Sequence, residues 1–187
     1  MDFPAKPGSA EEPWTEEAFR GFFLEHYERV TGVLHRLVGD ASRAEELANE
    51  AFWKLYRRRI TSSPDGNLRG WLYRTATNLG IDALRSEARR RRYEQAAAQS
   101  ATVSGAAADP LNELLRQETR IRVRAALAAI PPAQAQLLIL RASGFTYKEV
   151  SEILKLKAGS VGTMLIRAEA KFRKRYVNLT PQFRTRT

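Results

Sequence analysis

Cysteine is absent from this chain, and histidine is scarce: its 187 residues include only His26 and His35. Without cysteine no disulfide can form, and a zinc site built from cysteine and histidine is effectively excluded. The thiol nucleophile is missing as well, and no glycine-rich phosphate-binding loop is visible. The sequence therefore predicts no metal, no cofactor and no enzymatic activity.

Long apolar runs are also lacking, and nothing resembles an unbroken membrane-spanning segment. The first residues include Asp2, Glu11 and Glu12, which do not fit the pattern of a signal peptide. We therefore expect a soluble, cytoplasmic protein. The arm of residues 1–13, with its proline, glycine and acidic residues, is predicted to be disordered.

Positive charge is abundant, with a formal net charge of +10, and it is unevenly distributed. Residues 1–40 carry four lysines and arginines against eight acidic residues, whereas the chain from residue 131 onward carries eleven against three. This asymmetry predicts a polyanionic partner toward the C-terminus, and the phosphate backbone of a nucleic acid is the usual one. The acidic N-terminal part indicates a surface for a different partner.

Apolar residues recur at helical spacing throughout, and no stretch alternates as a strand would. The sequence predicts an all-α fold: two small helical domains, residues 12–93 and 110–177, joined by a flexible linker at 94–109. The linker prediction rests on the alanine-rich, weakly patterned stretch 95–108. The predicted helices are 15–38, 42–59, 68–92, 111–129 and 131–142, followed by two shorter helices within 145–174.

Three local signals predict where helices begin. Ser42 and Glu45 have the spacing of a capping box at the second helix, and Asp109 precedes a proline at the fourth. Thr146 and Glu149 have the same capping-box spacing at the first of the two short helices.

Residues 145–174 predict a helix-turn-helix, with the turn at 155–157 and a basic tail on the second helix. The second helix has an apolar face and a polar, basic face, an arrangement that suits the major groove of DNA. An ordinary amphipathic hairpin with a solvated charged face is the alternative for this segment alone. The coincidence of the cap, the short turn and the trailing cations favours DNA binding.

Two further strings lie in the first predicted domain. Residues 44–57 read AEELANEAFWKLYR, and residues 71–85 read WLYRTATNLGIDALR before four arginines at 89–92. Aromatic, amide and arginine side chains on one helix can stack on and hydrogen-bond to unpaired bases. With these strings placed before the helix-turn-helix, the chain resembles bacterial RNA polymerase sigma factors of the extracytoplasmic-function class, over roughly residues 20–93 and 110–176.

The resemblance implies a transcription initiation factor that binds core RNA polymerase and directs promoter recognition and DNA melting. Its implied partners are the polymerase and promoter DNA, both as duplex and as melted non-template strand. The resemblance leaves open whether an anti-sigma factor is a further partner. In the family the acidic helix docks on the polymerase clamp helices, so the matching candidates are Glu46, Asn49 and Glu50. Composition alone favours a solvated helix face for Glu46 and Glu50, with partners four residues away.

The resemblance also implies that Asn78 lines a pocket for a base flipped out of the minus-ten element, with the loop 62–67 as the other wall. Unstacking a base costs a few kcal/mol, which contacts in the pocket must offset. The further candidates for this contact are Asn67, Arg74, Arg85 and Arg89. For Trp71, core packing and base stacking stay open.

For duplex DNA at the minus-thirty-five element, the matching positions are Arg141, Ser160, Thr163, Arg167 and Lys171. Gly162 and Met164 stand where the family usually has cations, and Lys155 stands where the turn usually has glycine. Because bidentate arginine contacts to guanine discriminate most strongly in the major groove, these departures predict a weaker upstream contact.

Two other functions fit part of the sequence. A helix-turn-helix regulator that acts without polymerase does not account for the two strings of the first domain. A sigma-like decoy that binds an anti-sigma protein and no DNA fits the cation-poor recognition helix. Such a decoy has no need of Asn78 or the arginine-rich segment, so the promoter-directed function is favoured.

Overall fold

The computed structural model describes residues 15–61, 67–97 and 110–179, which form seven α-helices and contain no strand. The prediction of an all-α fold is confirmed. The helices are α1 (Glu16–Val38), α2 (Ala41–Thr61), α3 (Leu68–Ala97), α4 (Pro110–Ala128), α5 (Pro132–Ala142), α6 (Tyr147–Leu154) and α7 (Val161–Asn178), with a 3₁₀ turn (Ala158–Ser160) before α7.

The corner between α1 and α2 is built by two adjacent residues. Gly39 ends α1 in the left-handed conformation, with φ of 76°. Asp40 then caps α2, because its Oδ1 accepts the backbone N–H of Arg43 at 2.7 Å. The predicted capping box at Ser42 and Glu45 is therefore wrong: the capping carboxylate comes two residues earlier, and α2 already begins at residue 41.

Replacing Gly39 by alanine is expected to destabilise the fold. An L-residue in the left-handed region costs about 1–2 kcal/mol, and the new Cβ would meet the guanidinium of Arg124, which lies against this corner. Gly21→Ala is the matched control, because Gly21 lies within α1 and an added Cβ there meets no atom within 4 Å. That control is expected to stabilise the helix by roughly 0.5–1 kcal/mol. Denaturant unfolding followed by circular dichroism measures both, and shifts of the same sign would contradict this account.

The other predicted boundaries agree to within a few residues, with one exception. The capping box of Thr146 and Glu149 is present at the start of α6, and Thr15 caps α1. Helix α3 continues to Ala97, so the first residues of the predicted linker are helical, as their alanine content favours. The predicted arm, the loop 62–66, the remaining linker and the cap Asp109 lie outside the described residues.

The first three helices form one bundle and the last four form another. Helices α1, α2 and α3 all contact one another, and α5 and α7 are the main pair of the second unit. Buried side chains of the first unit include Val30, Leu34, Leu37, Leu47, Ala51, Leu55, Leu72 and Ile81. Those of the second include Ile130, Leu137, Leu140, Val150, Ile153, Val161 and Leu165.

The two units share a single hydrophobic core. Helix α3 contacts α4, α5 and α6, and α1 contacts α5. At the centre of this contact the rings of Tyr73 and Phe145, both fully buried, meet edge to face with centroids 4.9 Å apart. The guanidinium of Arg29 lies 4.0 Å above the Phe145 ring from the first unit. The helix-turn-helix unit is thus packed directly on α3.

Candidate nucleic-acid interface

Asn78, the predicted base-pocket residue, lies on α3 opposite α5. Its Oδ1 accepts a hydrogen bond from Nε2 of Gln136 at 2.9 Å. The same Gln136 amide donates to Thr77 Oγ1 at 3.0 Å and to the carbonyl of Arg74 at 3.2 Å. Gln136 is buried and joins the two units at this point. Nothing in the sequence pattern distinguishes this glutamine from the other polar residues of α5.

Two predicted arginines of α3 also bind the second unit, in both cases through backbone carbonyls. Arg74 donates to the carbonyl of Ile153 at the end of α6. Arg85 donates to the carbonyls of Ala128 and Ile130, at 3.3 and 3.1 Å, where α4 ends. Carbonyls at a helix C-terminus lack helical partners and carry partial negative charge, so they are suitable acceptors for cations.

The other two minus-ten candidates have different surroundings. Asn67 caps α3, since its Oδ1 accepts the N–H of Gly70 at 2.6 Å, and its Nδ2 donates to the carbonyl of Glu152 at 3.2 Å. Arg89 is exposed and donates to Ser86 one turn earlier, at 2.9 Å. Arg89 thus binds a residue of its own helix, whereas Asn67 also binds α6 of the second unit. Trp71 is half-buried and packs against the shared core.

Glu149 connects the units by charge. Its carboxylate accepts from Arg69 of α3 at 2.5 Å and lies 3.6 Å from Arg29 of α1. The hydrogen bond from the Thr146 backbone N–H, followed by those from Arg69 and the Thr146 hydroxyl, lowers the pKa of Glu149 to about 2. Since the unfolded value is 4.5, the contribution of this carboxylate to stability is present above that pH and is lost as the pH falls toward 2. The capping-box pattern in the sequence predicts the hydrogen bonds between Thr146 and Glu149, but it does not predict the ion pair with Arg69.

The three polymerase candidates lie on one exposed stripe of α2. Glu46 pairs with Arg43 at 2.6 Å and Glu50 with Lys54 at 3.2 Å, while Asn49 is exposed between them. These are local pairs between exposed side chains, which contribute little to stability. They match the solvated-face alternative, and they leave the carboxylates accessible to a partner.

Trp53 lies on the same stripe, one turn after Asn49 and Glu50, and 58% of its surface is exposed. Its ring stacks on Tyr56 with centroids 5.9 Å apart, and Tyr56 in turn meets Phe19 edge to face. An exposed tryptophan held by its neighbours is typical of the centre of a protein interface. Trp53 lies two helical turns after Glu46, and this spacing was the sequence signal that could have placed it on the same face of α2.

The left-handed position that ends α6 is occupied by lysine instead of glycine. Lys155 adopts the left-handed conformation, with φ of 54°, and its N–H donates to the carbonyl of Ser151. Arg141, predicted to contact DNA, donates to the carbonyl of Phe145 and lies 4.7 Å over the Tyr147 ring. Its guanidinium therefore connects the end of α5 to the start of α6.

The remaining upstream candidates lie at the start and on the outer side of α7. Thr163, Arg167 and Lys171 are exposed, while Ser160 is half-buried and its side chain makes no capping hydrogen bond. Val161, Leu165 and Ala168 are buried on the opposite face. The predicted division of α7 into an apolar and a basic face is thus present.

Within the described ranges, no group of three histidine or acidic side chains is arranged to bind a metal. None of the helices in those ranges is long and apolar enough to cross a membrane.

The two helical units match two known family models, one after the other along the chain. The model of Sigma-70 region 2 matches residues 22–90, and that of Sigma-70, region 4 matches residues 120–172. The chain belongs to the extracytoplasmic-function (ECF) RNA polymerase sigma factors.

The chain is similar in sequence to ECF RNA polymerase sigma factors of other bacteria. The chain is 32% identical to the ECF RNA polymerase sigma factor EcfG of Rhodopseudomonas palustris over 139 residues, which cover 72% of each chain. It is 30% identical to the ECF RNA polymerase sigma factor SigE of Mycolicibacterium smegmatis over 174 residues, and it spans 91% of its own length and 65% of that relative's. A solved structure of the sigma factor RpoE in complex with the anti-sigma factor NepR from Bartonella quintana aligns with a TM-score of 0.47 and 20% identity, over 87% of this chain and 98% of that one.

Proposed function

We propose that this protein binds core RNA polymerase, recognises promoters and melts them. In this proposal the exposed stripe of α2 docks on the polymerase, α7 contacts the upstream element as duplex, and α3 captures the melted non-template strand of the minus-ten element. The protein is a specificity subunit that acts with the polymerase in the cytoplasm. Nucleotide addition belongs to the polymerase.

The observation that carries the proposal is the kind of acceptor bound by the arginines of α3. Arg74 and Arg85 donate to neutral backbone carbonyls of the second unit. A phosphate oxygen is a stronger acceptor for a guanidinium than a carbonyl, because its hydrogen bond is charge-assisted. Phosphate groups of a nucleic acid can therefore replace these carbonyls as partners of Arg74 and Arg85. The family match over residues 22–90 leads us to expect this exchange.

The same contacts imply a rearrangement. Gln136 binds Asn78, and the ends of α4 and α6 bind Arg85 and Arg74, so these side chains must exchange partners before they can hold a single strand. Each of these hydrogen bonds contributes about 0.5–1.5 kcal/mol net. Separation also exposes apolar surface of the shared core around Tyr73 and Phe145, so binding to polymerase and DNA must offset both costs. We propose that the free protein keeps these α3 side chains bonded to the second unit, with Asn78 itself exposed, and that the polymerase complex separates the units and releases them.

Run-off transcription with purified core polymerase on a promoter library tests the function. Promoter-specific starts that depend on this protein are the expected result. Duplex binding without polymerase and without specific starts would instead support an operator-binding regulator. Binding to neither DNA nor polymerase would support the decoy function.

Trp53→Ala is expected to weaken core polymerase binding about tenfold or more, because an exposed tryptophan at the centre of a contact contributes on the order of 2 kcal/mol. Leu24→Ala is the matched control, since Leu24 is a large exposed apolar residue of α1. Fluorescence anisotropy of labelled protein titrated with core polymerase measures both. Equal affinities of the two variants for core polymerase would show that Trp53 does not contribute to docking.

A further inference from the structure

Ile166 is an apolar side chain on the basic side of α7. It is 69% exposed, more than any other large apolar residue of that helix. Exposed Thr163 lies three residues before it and exposed Arg167 directly after it. Side chains three or four residues apart are neighbours on a helix surface, so Ile166 belongs to the surface proposed to meet DNA.

The packing of α7 does not require an isoleucine at this position. The buried face of the helix consists of Val161, Leu165 and Ala168, on the opposite side from Thr163 and exposed Ala170. A polar residue at position 166 would leave these core contacts unchanged. The packing of α7 therefore leaves the side chain at position 166 available for an external contact.

The first turns of α7 are shaped for close approach to a surface. Gly162 has no side chain, and an added Cβ there would meet only the Tyr147 ring, at 3.7 Å. Met164 is half-buried and packs against the core. The two positions that would supply further cations are thus small or turned inward, while Arg167 and Lys171 give the exposed side its positive charge.

The charge of this surface indicates a polyanion, and the isoleucine indicates an apolar group within it. In the major groove the base edges present one such group, the C5-methyl of thymine. We propose that Ile166 is a specificity-determining residue that contacts a thymine methyl in the upstream promoter element. This inference rests on the proposed function. It adds that the upstream element is recognised through thymine, because Gly162 and Met164 provide no cation that could bind guanine.

Replacing thymine by uracil tests the inference, because uracil lacks only the methyl group. Holoenzyme reconstituted from core polymerase and the full chain is assayed on a promoter selected from the library, with each upstream thymine replaced singly. At one or two positions uracil is expected to reduce initiation about three- to fivefold, the effect of one buried methyl. Ile166→Ala is expected to abolish the difference between thymine and uracil at those positions. Val177→Ala, which shortens an exposed apolar residue near the end of α7, is expected to retain it.

Three outcomes would overturn the inference. Equal initiation from thymine and uracil at every upstream position means that no methyl is read. An unchanged preference in Ile166→Ala means that another residue reads it. Equal loss by Ile166→Ala on both templates, with weaker polymerase binding, would assign Ile166 to a protein contact. Absence of any promoter-specific start with the unmodified protein on thymine DNA would instead overturn the proposed function.

Discussion

Cross-linking the two units through Arg29→Cys and Glu149→Cys is expected to abolish promoter-dependent transcription. The replaced side chains meet across the contact between α1 and α6, with Arg29 Nη2 and the Glu149 carboxylate 3.6 Å apart. A short bis-methanethiosulfonate linker would join the new thiols and hold the second unit against α3. With the units held together, Asn78, Arg74 and Arg85 keep their partners in the second unit and are not released to the melted strand. Because the chain has no cysteine of its own, the linker reacts only at the introduced pair.

Reduction with dithiothreitol releases this linker and is expected to restore transcription in the same sample. The matched control is Glu118→Cys with Arg122→Cys, a pair one turn apart on α4 whose side chains meet at 2.6 Å. A linker there ties one helix to itself and leaves the units free to separate. Run-off transcript yield measures both pairs. Full activity of the locked Arg29 and Glu149 pair would show that promoter binding does not require the units to part.

Asn78→Ala is expected to reduce open-complex formation by about ten- to a hundredfold while leaving duplex binding nearly unchanged. A flipped base must recover a few kcal/mol of lost stacking through its pocket, and the loss of one well-placed amide removes part of that gain. Permanganate reactivity of unpaired thymines reports melting, and mobility-shift assays on upstream duplex report the other contact. Equal loss in both assays would reject the base-pocket role.

Gln136→Ala separates the pocket role of Asn78 from its contact with the second unit. It removes the donor that binds the Asn78 side chain at 2.9 Å, yet leaves Asn78 in place. If the amide of Asn78 binds a base, Gln136→Ala is expected to retain melting or to increase it, because Asn78 no longer has to give up a hydrogen bond to the second unit. Loss of melting in both variants would mean that the hydrogen bond between the units is itself what matters.

Local patterns predicted the helices of this protein and most of their boundaries. The capping box of Thr146 and Glu149 was correct, since it depends only on residues three apart. The cap of α2 was misassigned because Ser42 and Asp40 are both good capping residues, and the choice depends on where the left-handed Gly39 ends α1. The stripe of Glu46, Asn49 and Glu50 also followed from spacing within one helix.

The sequence by itself determined an all-helical chain, two units in order, an outer basic face on α7 and membership of the sigma factors. Only the tertiary structure decided that these units share one core, and that Glu149, Gln136 and the ends of α4 and α6 bind side chains of α3. The reason is physical: helical periodicity is a property of neighbouring residues, whereas a contact between residues about 60 to 80 positions apart depends on complementary surfaces. The helix-turn-helix is visible in the sequence, but its position over the arginines and the amide of α3 is not.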